Sequence, residues 1–101
     1  MVNALKSNVF ITGAARTPLG KFQGALAGTP ATELGATAIR AAVDRSGLDR
    51  DDIEYSIMGN MLSAGLGQTP ARQAAISAEI PNTVSALTIN KACASGMQSI
   101  I

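Results

Sequence analysis

The chain has 101 residues and a formal net charge of +1, from eight lysines and arginines against seven aspartates and glutamates. This length suits one small domain, and the nearly balanced charge argues against nucleic acid as a partner, which needs a concentrated basic surface. Hydrophobic residues make up 47% of the chain and charged residues 15%, which excludes a disordered tail.

The first predicted element is a strand. Residues 9–12 read VFIT, three β-branched residues and one aromatic, and Gly13 ends the run. Such a short apolar run is typical of a strand that is buried on both faces. Pro18 and Gly20 then mark residues 16–20 as a loop.

The second predicted element is a helix. Thr29 is placed to act as its N-cap, and Pro30 is suited to the first helical position. Small and apolar residues recur on one side of a 3.6-residue wheel between residues 34 and 43. Gly47 lies where a left-handed C-cap is expected.

A polar turn at residues 49–52 leads into a second predicted strand, since residues 53–58 alternate with the two-residue period of a strand. Residues 63–68 contain two glycines and predict a loop. Thr69 and Pro70 repeat the cap-and-proline pattern and predict the start of a second helix.

Pro81 limits the second helix to an end near Glu79 or Ile80. Residues 84–89 predict a third strand, and a last helix is expected to begin near Cys93. The order βαβαβα predicts an α/β fold with a mainly parallel sheet covered by helices.

The two ends of the chain carry further expectations. Residues 98–101 contain no helix stop signal, so we expect the chain to be part of a longer protein. Residues 1–10 hold no apolar run of signal-peptide length, and glycine and proline interrupt the longest uncharged stretch, residues 55–71. We therefore expect a cytoplasmic protein with no membrane partner.

Cys93 is the strongest candidate for a catalytic residue. It lies among small residues where a strand is expected to give way to a helix, as in the nucleophile elbow of hydrolases. A helix N-terminus favours the thiolate over the thiol, and a thiolate attacks thioesters readily. The alternative from spacing alone is a buried, inert cysteine. The chain has no histidine, so a Cys-His pair cannot form within it.

Three other groups of residues are weaker candidates. The glycine loop and helix start at residues 65–73 could cradle phosphate, but the motif lacks the lysine of a P-loop, and a structural turn explains it better. Arg16 and Lys21 could meet an anion, although loop cations are usually only solvated. The aspartates of residues 49–52 fit helix capping better than metal binding.

Four segments together resemble the N-terminal part of the thiolase family, in particular its acetyl-CoA acetyltransferase type. They are residues 9–11 with 15–22, residues 59–60, residues 65–75, and residues 90–97, which read NKACASGM. Ketoacyl synthases also carry a cysteine at a strand-to-helix turn, but residues 90–92 and 68–72 fit thiolases better. The resemblance covers nearly the whole chain and about the first quarter of a family member.

The resemblance implies that Cys93 is the catalytic nucleophile. It would accept an acetyl group from acetyl-CoA and pass it to the carbanion of a second acetyl-CoA, giving acetoacetyl-CoA and free CoA; the reverse reaction is thiolytic cleavage. Coenzyme A thioesters are then substrates, and neither a cofactor nor a metal is implied. A histidine, a second cysteine and an asparagine complete the family's site, and none of the three maps onto this chain.

The resemblance also implies an architecture. Residues 1–101 would form the βαβαβα opening of a layered α/β/α/β/α fold, a partial N-terminal domain whose C-terminal half is absent. Family members are dimers or tetramers, so a homodimer or homotetramer is expected, with residues 84–89 near the dimer interface. Two alternatives stay open: an inactive truncated chain, and a 3-ketoacyl-CoA thiolase with a different chain-length preference.

Overall fold

A computed structural model describes residues 8–101. The elements, in chain order, are α1 (Ala31–Ser46), a short 3-10 helix (Arg50–Asp52), β1 (Tyr55–Gly59), α2 (Pro70–Ser77), β2 (Ser85–Ile89) and α3 (Ser95–Ile100). β1 and β2 pair in parallel, with Tyr55 opposite Ser85 and Gly59 opposite Ile89. Parallel neighbours need a crossover, which α2 supplies. The predicted α/β class is confirmed.

Small side chains build the core. The buried residues of the α2 segment are mainly alanines, and Ala36 of α1 joins Ala75, Ala78, Ile80 and Val84 in one apolar cluster. Alanines allow two helices to approach closely, because little side-chain volume separates their backbones. The α1 and α2 helices therefore pack against each other, and α2 also covers both strands.

The C-terminal cap of α1 is as predicted, and its N-terminal cap is not. Gly47 has a φ of 75°, the left-handed cap that glycine adopts without a steric cost. The predicted N-cap Thr29 is wrong by one residue. Pro30 takes the N-cap position with an extended backbone, ψ 147°, and its carbonyl accepts from the N–H groups of Glu33 and Leu34.

The α2 helix begins at Pro70 as predicted, but its first N–H group is satisfied from elsewhere in the fold. Thr69 occupies the N-cap position without a side-chain hydrogen bond. Instead, the Ala71 N–H donates to Oγ1 of Thr88 on β2 at 3.0 Å. The helix ends at Ser77, earlier than expected, ahead of Glu79 with its left-handed φ of 64°.

Two arginines satisfy carbonyls at the C-terminal end of α2. Arg40 donates to the Ser77 carbonyl at 3.1 Å, and Nε of Arg50 donates to the Ala78 carbonyl at 3.2 Å. Cations are favoured at this end of a helix because the helix dipole is negative there. The contacts tie α1 and the 3-10 helix to the helix that connects the strands.

The predicted first strand at residues 9–12 is wrong. The segment carries no strand in the part of the chain that the structure describes, and neither β1 nor β2 pairs with it. Val9, Phe10 and Ile11 remain 89%, 78% and 84% exposed. A segment forms a strand only when it pairs with a neighbouring strand, so suitable side chains alone are not sufficient. The following segment contacts α1 instead, where Arg45 donates to the Ala14 carbonyl at 2.8 Å.

The other two strands match their predictions closely. β1 starts two residues later than the alternating pattern, and β2 starts one residue later than the apolar run. Ile57 and Leu87, which are paired across the ladder, are 39% and 44% exposed. The helices therefore cover this two-stranded sheet incompletely. None of the helices within residues 8–101 combines the length and apolarity that a bilayer crossing requires.

Candidate functional site

Cys93 lies in the turn between β2 and α3, and it is exposed. The alternative of a buried cysteine is therefore wrong for this structure. The helix was expected to begin near Cys93, but α3 begins at Ser95 and Ala94 is its N-cap. The thiol thus belongs to the turn that precedes the helix, where a reactant can reach it.

The residue before the thiol has an unusual backbone. Ala92 has a φ of 47°, in the left-handed region that residues with a Cβ rarely adopt. Oδ1 of Asn90 accepts from the Ala92 N–H at 3.1 Å, and Oγ of Ser95 donates to the Ala92 carbonyl at 2.6 Å. Side chains on both sides of Cys93 therefore hold the turn in its conformation.

Ser95 also connects the turn to the end of β2. Its Oγ accepts from the Lys91 N–H at 2.8 Å, and the residue is only 5% exposed. Backbone bonds reinforce the same region, since the Ala94 N–H donates to the Lys91 carbonyl at 3.0 Å and the Ser95 N–H to the Ala92 carbonyl at 3.2 Å. The result is a tight strand-to-helix turn, as the small residues of the sequence predict.

The end of β1 packs directly against this turn. A Cβ placed on Gly59 would meet the backbone of Ser95 and would lie 2.5 Å from the Gly96 nitrogen. Glycine at this position therefore allows α3 to rest directly on the strand. The Asn60 N–H donates to the Ile89 carbonyl at 2.9 Å, and Nδ2 of Asn90 donates to the Met61 carbonyl at 3.2 Å. Both strands thus fix the position of the Cys93 turn.

The glycine loop at residues 65–73 has a structural role. Nε2 of Gln73 donates to the carbonyls of Leu66 and Gln68, at 2.6 and 2.7 Å. The N–H groups at the start of α2 already have acceptors: Thr88 Oγ1 for Ala71, and the Thr69 carbonyl for the next two residues. These N–H groups are not free to cradle phosphate, and the interpretation as a structural turn is confirmed.

The remaining charged candidates are solvated or serve as local caps. Arg16 is exposed and donates to the carbonyl of its neighbour Thr17 at 3.0 Å, and Lys21 is also exposed. The Asp49 N–H donates to Oδ2 of Asp52 at 3.0 Å, half of a capping box, as the capping interpretation predicts. Groups of three or more His, Cys, Asp or Glu side chains suited to a metal ion do not occur within residues 8–101.

Sequence reasoning missed the supporting roles of Gly59, Thr88 and Ser95. A glycine at the end of a predicted strand is a known signal of close backbone approach, and it could have indicated the contact at Gly59. Thr88 and Ser95 act through contacts that only the fold creates. No local sequence pattern distinguishes their hydroxyls from those of other serines and threonines.

Comparison with known proteins agrees with this architecture. The family model described as thiolase, N-terminal domain, matches residues 9–101. A mitochondrial acetyl-CoA acetyltransferase from Xenopus tropicalis is 52% identical over 95 residues, which are 94% of this chain and 23% of the relative. A cytosolic acetyl-CoA acetyltransferase from Gibberella zeae is 50% identical over 93 residues, 92% of this chain and 24% of that protein.

A solved structure has the same fold. The crystal structure of a thiolase from Ascaris suum in complex with coenzyme A matches with a TM-score of 0.88 and 45% sequence identity, over 90% of this chain and 24% of that one. The chain thus spans about a quarter of the length of the relatives it matches. With nearly all of its residues matched by one family model, the chain belongs to the thiolase family.

Proposed function

We propose that this chain carries the nucleophile of an acetyl-CoA acetyltransferase and that Cys93 is that nucleophile. The observation that carries the proposal is the exposed thiol at the tip of a strand-to-helix turn that is hydrogen-bonded on both sides. Thiolate nucleophiles form covalent intermediates that divide one difficult reaction into two easier steps. The relatives' names supply the substrate class, acetyl-CoA.

In the first step, the Cys93 thiolate attacks the carbonyl carbon of acetyl-CoA. The new bond joins Sγ to the acetyl carbon, and the bond between that carbon and the sulfur of coenzyme A breaks. Coenzyme A leaves as a thiolate and takes up a proton. A thioester replaces a thioester, so bond energies change little and the step is readily reversible.

In the second step, a second acetyl-CoA loses a proton from its methyl carbon, and the carbanion attacks the acetyl group on Cys93. A carbon–carbon bond forms, the bond to Sγ breaks, and the thiolate of Cys93 is regenerated with acetoacetyl-CoA as product. This step needs a base for the methyl proton. The chain contains no histidine and no second cysteine, so the residues that the family resemblance implies for this role must lie outside it.

We further propose that residues 1–101 are a partial N-terminal domain of a larger protein. Two observations support this: the chain matches about a quarter of its relatives' length, and large apolar side chains such as Phe10, Phe22 and Ile100 are at least 78% exposed. The complete protein would be a homodimer or homotetramer that works on coenzyme A thioesters without a cofactor. A cytoplasmic location stays a prediction, because the relatives include mitochondrial and cytosolic forms.

The proposal is tested by acetyl transfer to Cys93. The intact natural protein is mixed with acetyl-CoA, quenched in acid and digested with trypsin, and the peptide that begins at Ala92 is analysed by mass spectrometry. We expect an acetyl thioester on Cys93 in the wild type and none in Cys93→Ser, because a hydroxyl is a far weaker nucleophile than a thiolate.

Two results would overturn the assignment: an unlabelled Cys93 in the wild type, or persistent acetylation and full activity in the Cys93→Ser protein. A Cys93→Ala variant is the matched control, since it removes the nucleophile without adding a hydroxyl. Preference for acetoacetyl-CoA over longer 3-ketoacyl-CoA substrates in the cleavage direction separates the acetyl-CoA acetyltransferase from the alternative thiolase of different chain-length preference.

A further inference from the structure

The backbone that precedes Cys93 has a conformation that is intrinsically unfavourable. Ala92 has a left-handed φ of 47°, and its Cβ makes this region unfavourable. Residue 92 is also exposed, so packing of its methyl group does not account for the conformation. The cause must lie in the groups that bind its peptide atoms.

Both polar atoms of Ala92 are bound by side chains. Its N–H donates to Oδ1 of Asn90 at 3.1 Å, and its carbonyl accepts from Oγ of Ser95 at 2.6 Å. Asn90 is anchored in turn by the bond from its Nδ2 to the Met61 carbonyl. We call Asn90, Ala92 and Ser95 the Ala92 clamp.

Ser95 is the central member of the clamp. It is 5% exposed, and its hydroxyl bridges the Ala92 carbonyl and the Lys91 N–H, the latter at 2.8 Å. It therefore binds the two residues that precede the thiol, from the helix that follows it. Loss of this hydroxyl leaves the Ala92 carbonyl with only the longer backbone bond from the Ser95 N–H, at 3.2 Å.

We propose that Ser95 is a positioning residue for acyl transfer, because it keeps Ala92 left-handed and so sets the direction of the Cys93 thiol. This inference rests on the proposed function of Cys93. If Ala92 relaxed to the right-handed region, the next residue would turn away from its present direction. Acyl transfer requires sulfur and carbonyl carbon to meet in a defined geometry, and a displacement of about 1 Å costs on the order of 100-fold in rate.

The test compares two reagents that react with the same sulfur. In the intact natural protein, Ser95→Ala is expected to slow acetylation of Cys93 by acetyl-CoA about 10- to 100-fold. Alkylation of Cys93 by iodoacetamide, a small reagent that needs no oriented acyl donor, should continue at the wild-type rate. Both rates are read from the peptide that begins at Ala92.

Ser99→Ala is the matched control. Oγ of Ser99 donates to the Gly96 carbonyl at 2.6 Å, the same type of bond at the same length, but further along α3 and outside the clamp. It should leave both rates unchanged. The second variant, Ala92→Gly in the Ser95→Ala background, should restore acetylation, because glycine adopts the left-handed region without a steric cost.

Ala92→Val keeps the proposal testable if Ser95→Ala fails to fold. The position is exposed, so the larger side chain has room, while a β-branched residue opposes a positive φ; acetylation should therefore slow as it does in Ser95→Ala. Wild-type acetylation rates in Ser95→Ala or Ala92→Val, an equal loss in Ser99→Ala, or no rescue by glycine would each overturn the positioning role. A wild-type protein that is never acetylated would instead overturn the proposed function, and the positioning role with it.

Discussion

Replacing Gly59 by alanine is expected to displace the turn that carries Cys93. The added Cβ would lie 2.5 Å from the Gly96 nitrogen and would also overlap the backbone carbonyl group of Ser95. Non-bonded carbon atoms rest about 3.5 to 4.0 Å apart, so β1 and α3 must separate by about 1 Å. The obstructing atoms are all backbone, and no flexible side chain can move aside.

The size of the effect follows from this geometry. Overpacking in a tight contact typically costs about 1 to 3 kcal/mol, and a backbone-to-backbone clash belongs at the upper end of that range. With a urea m value of about 2 to 3 kcal/mol per M, a loss of about 3 kcal/mol lowers the unfolding midpoint by about 1 to 1.5 M. A displacement of about 1 Å at Ser95 should also slow acetylation of Cys93 about 100-fold.

Urea unfolding of the intact protein, followed by circular dichroism, measures the first effect, and acetylation of Cys93 measures the second. Gly96→Ala and Gly28→Ala are the controls, because a Cβ at either position meets no atom within 4 Å beyond its chain neighbours and its own helix. In α3, alanine should even be favourable, as its helix propensity exceeds that of glycine by about 1 kcal/mol. A Gly59→Ala midpoint equal to that of Gly28→Ala would refute the close contact between β1 and α3.

Two further predictions concern Thr88 and the chain as a whole. Thr88→Val removes the acceptor for the Ala71 N–H and should lower the free energy of unfolding in urea by about 1 kcal/mol, as the loss of a helix cap does. Thr88→Ser keeps the hydroxyl and should keep most of the stability. Equal unfolding midpoints for the two variants would exclude the cap. The 101-residue chain alone, mixed with acetyl-CoA, should form no acetoacetyl-CoA by chromatography, because it contains neither a histidine nor a second cysteine; product above a protein-free blank would show that these residues are dispensable.

Features that depend on a few neighbouring residues are predictable from this sequence. Gly47 ends α1 in the left-handed conformation, and Pro70 opens α2, because each property belongs to the residue itself. The position of Cys93 after a strand and before a helix follows from the same kind of local signal. α3 begins at Ser95, two residues after the expected start at Cys93. The left-handed turn at Ala92 delays it, and alanine gives no sequence signal for such a turn.

Features that depend on distant partners are not predictable in this way. Residues 9–12 have the composition of a buried strand, yet Val9, Phe10 and Ile11 stay exposed, because neither β1 nor β2 pairs with them. In the same way, Thr69 has the right residue type and position for a helix cap, but the hydroxyl of Thr88, brought close by the parallel ladder, takes that role.

The chemical state of the Cys93 sulfur tests the proposed acetyl transfer most directly. The intact protein is incubated with isotopically labelled acetyl-CoA, and the peptide that begins at Ala92 is sequenced by tandem mass spectrometry. We expect a labelled acetyl group on Cys93 that disappears when free coenzyme A is added in excess, since thioester exchange is reversible. Label on another residue, or none on Cys93, would contradict the proposed transfer.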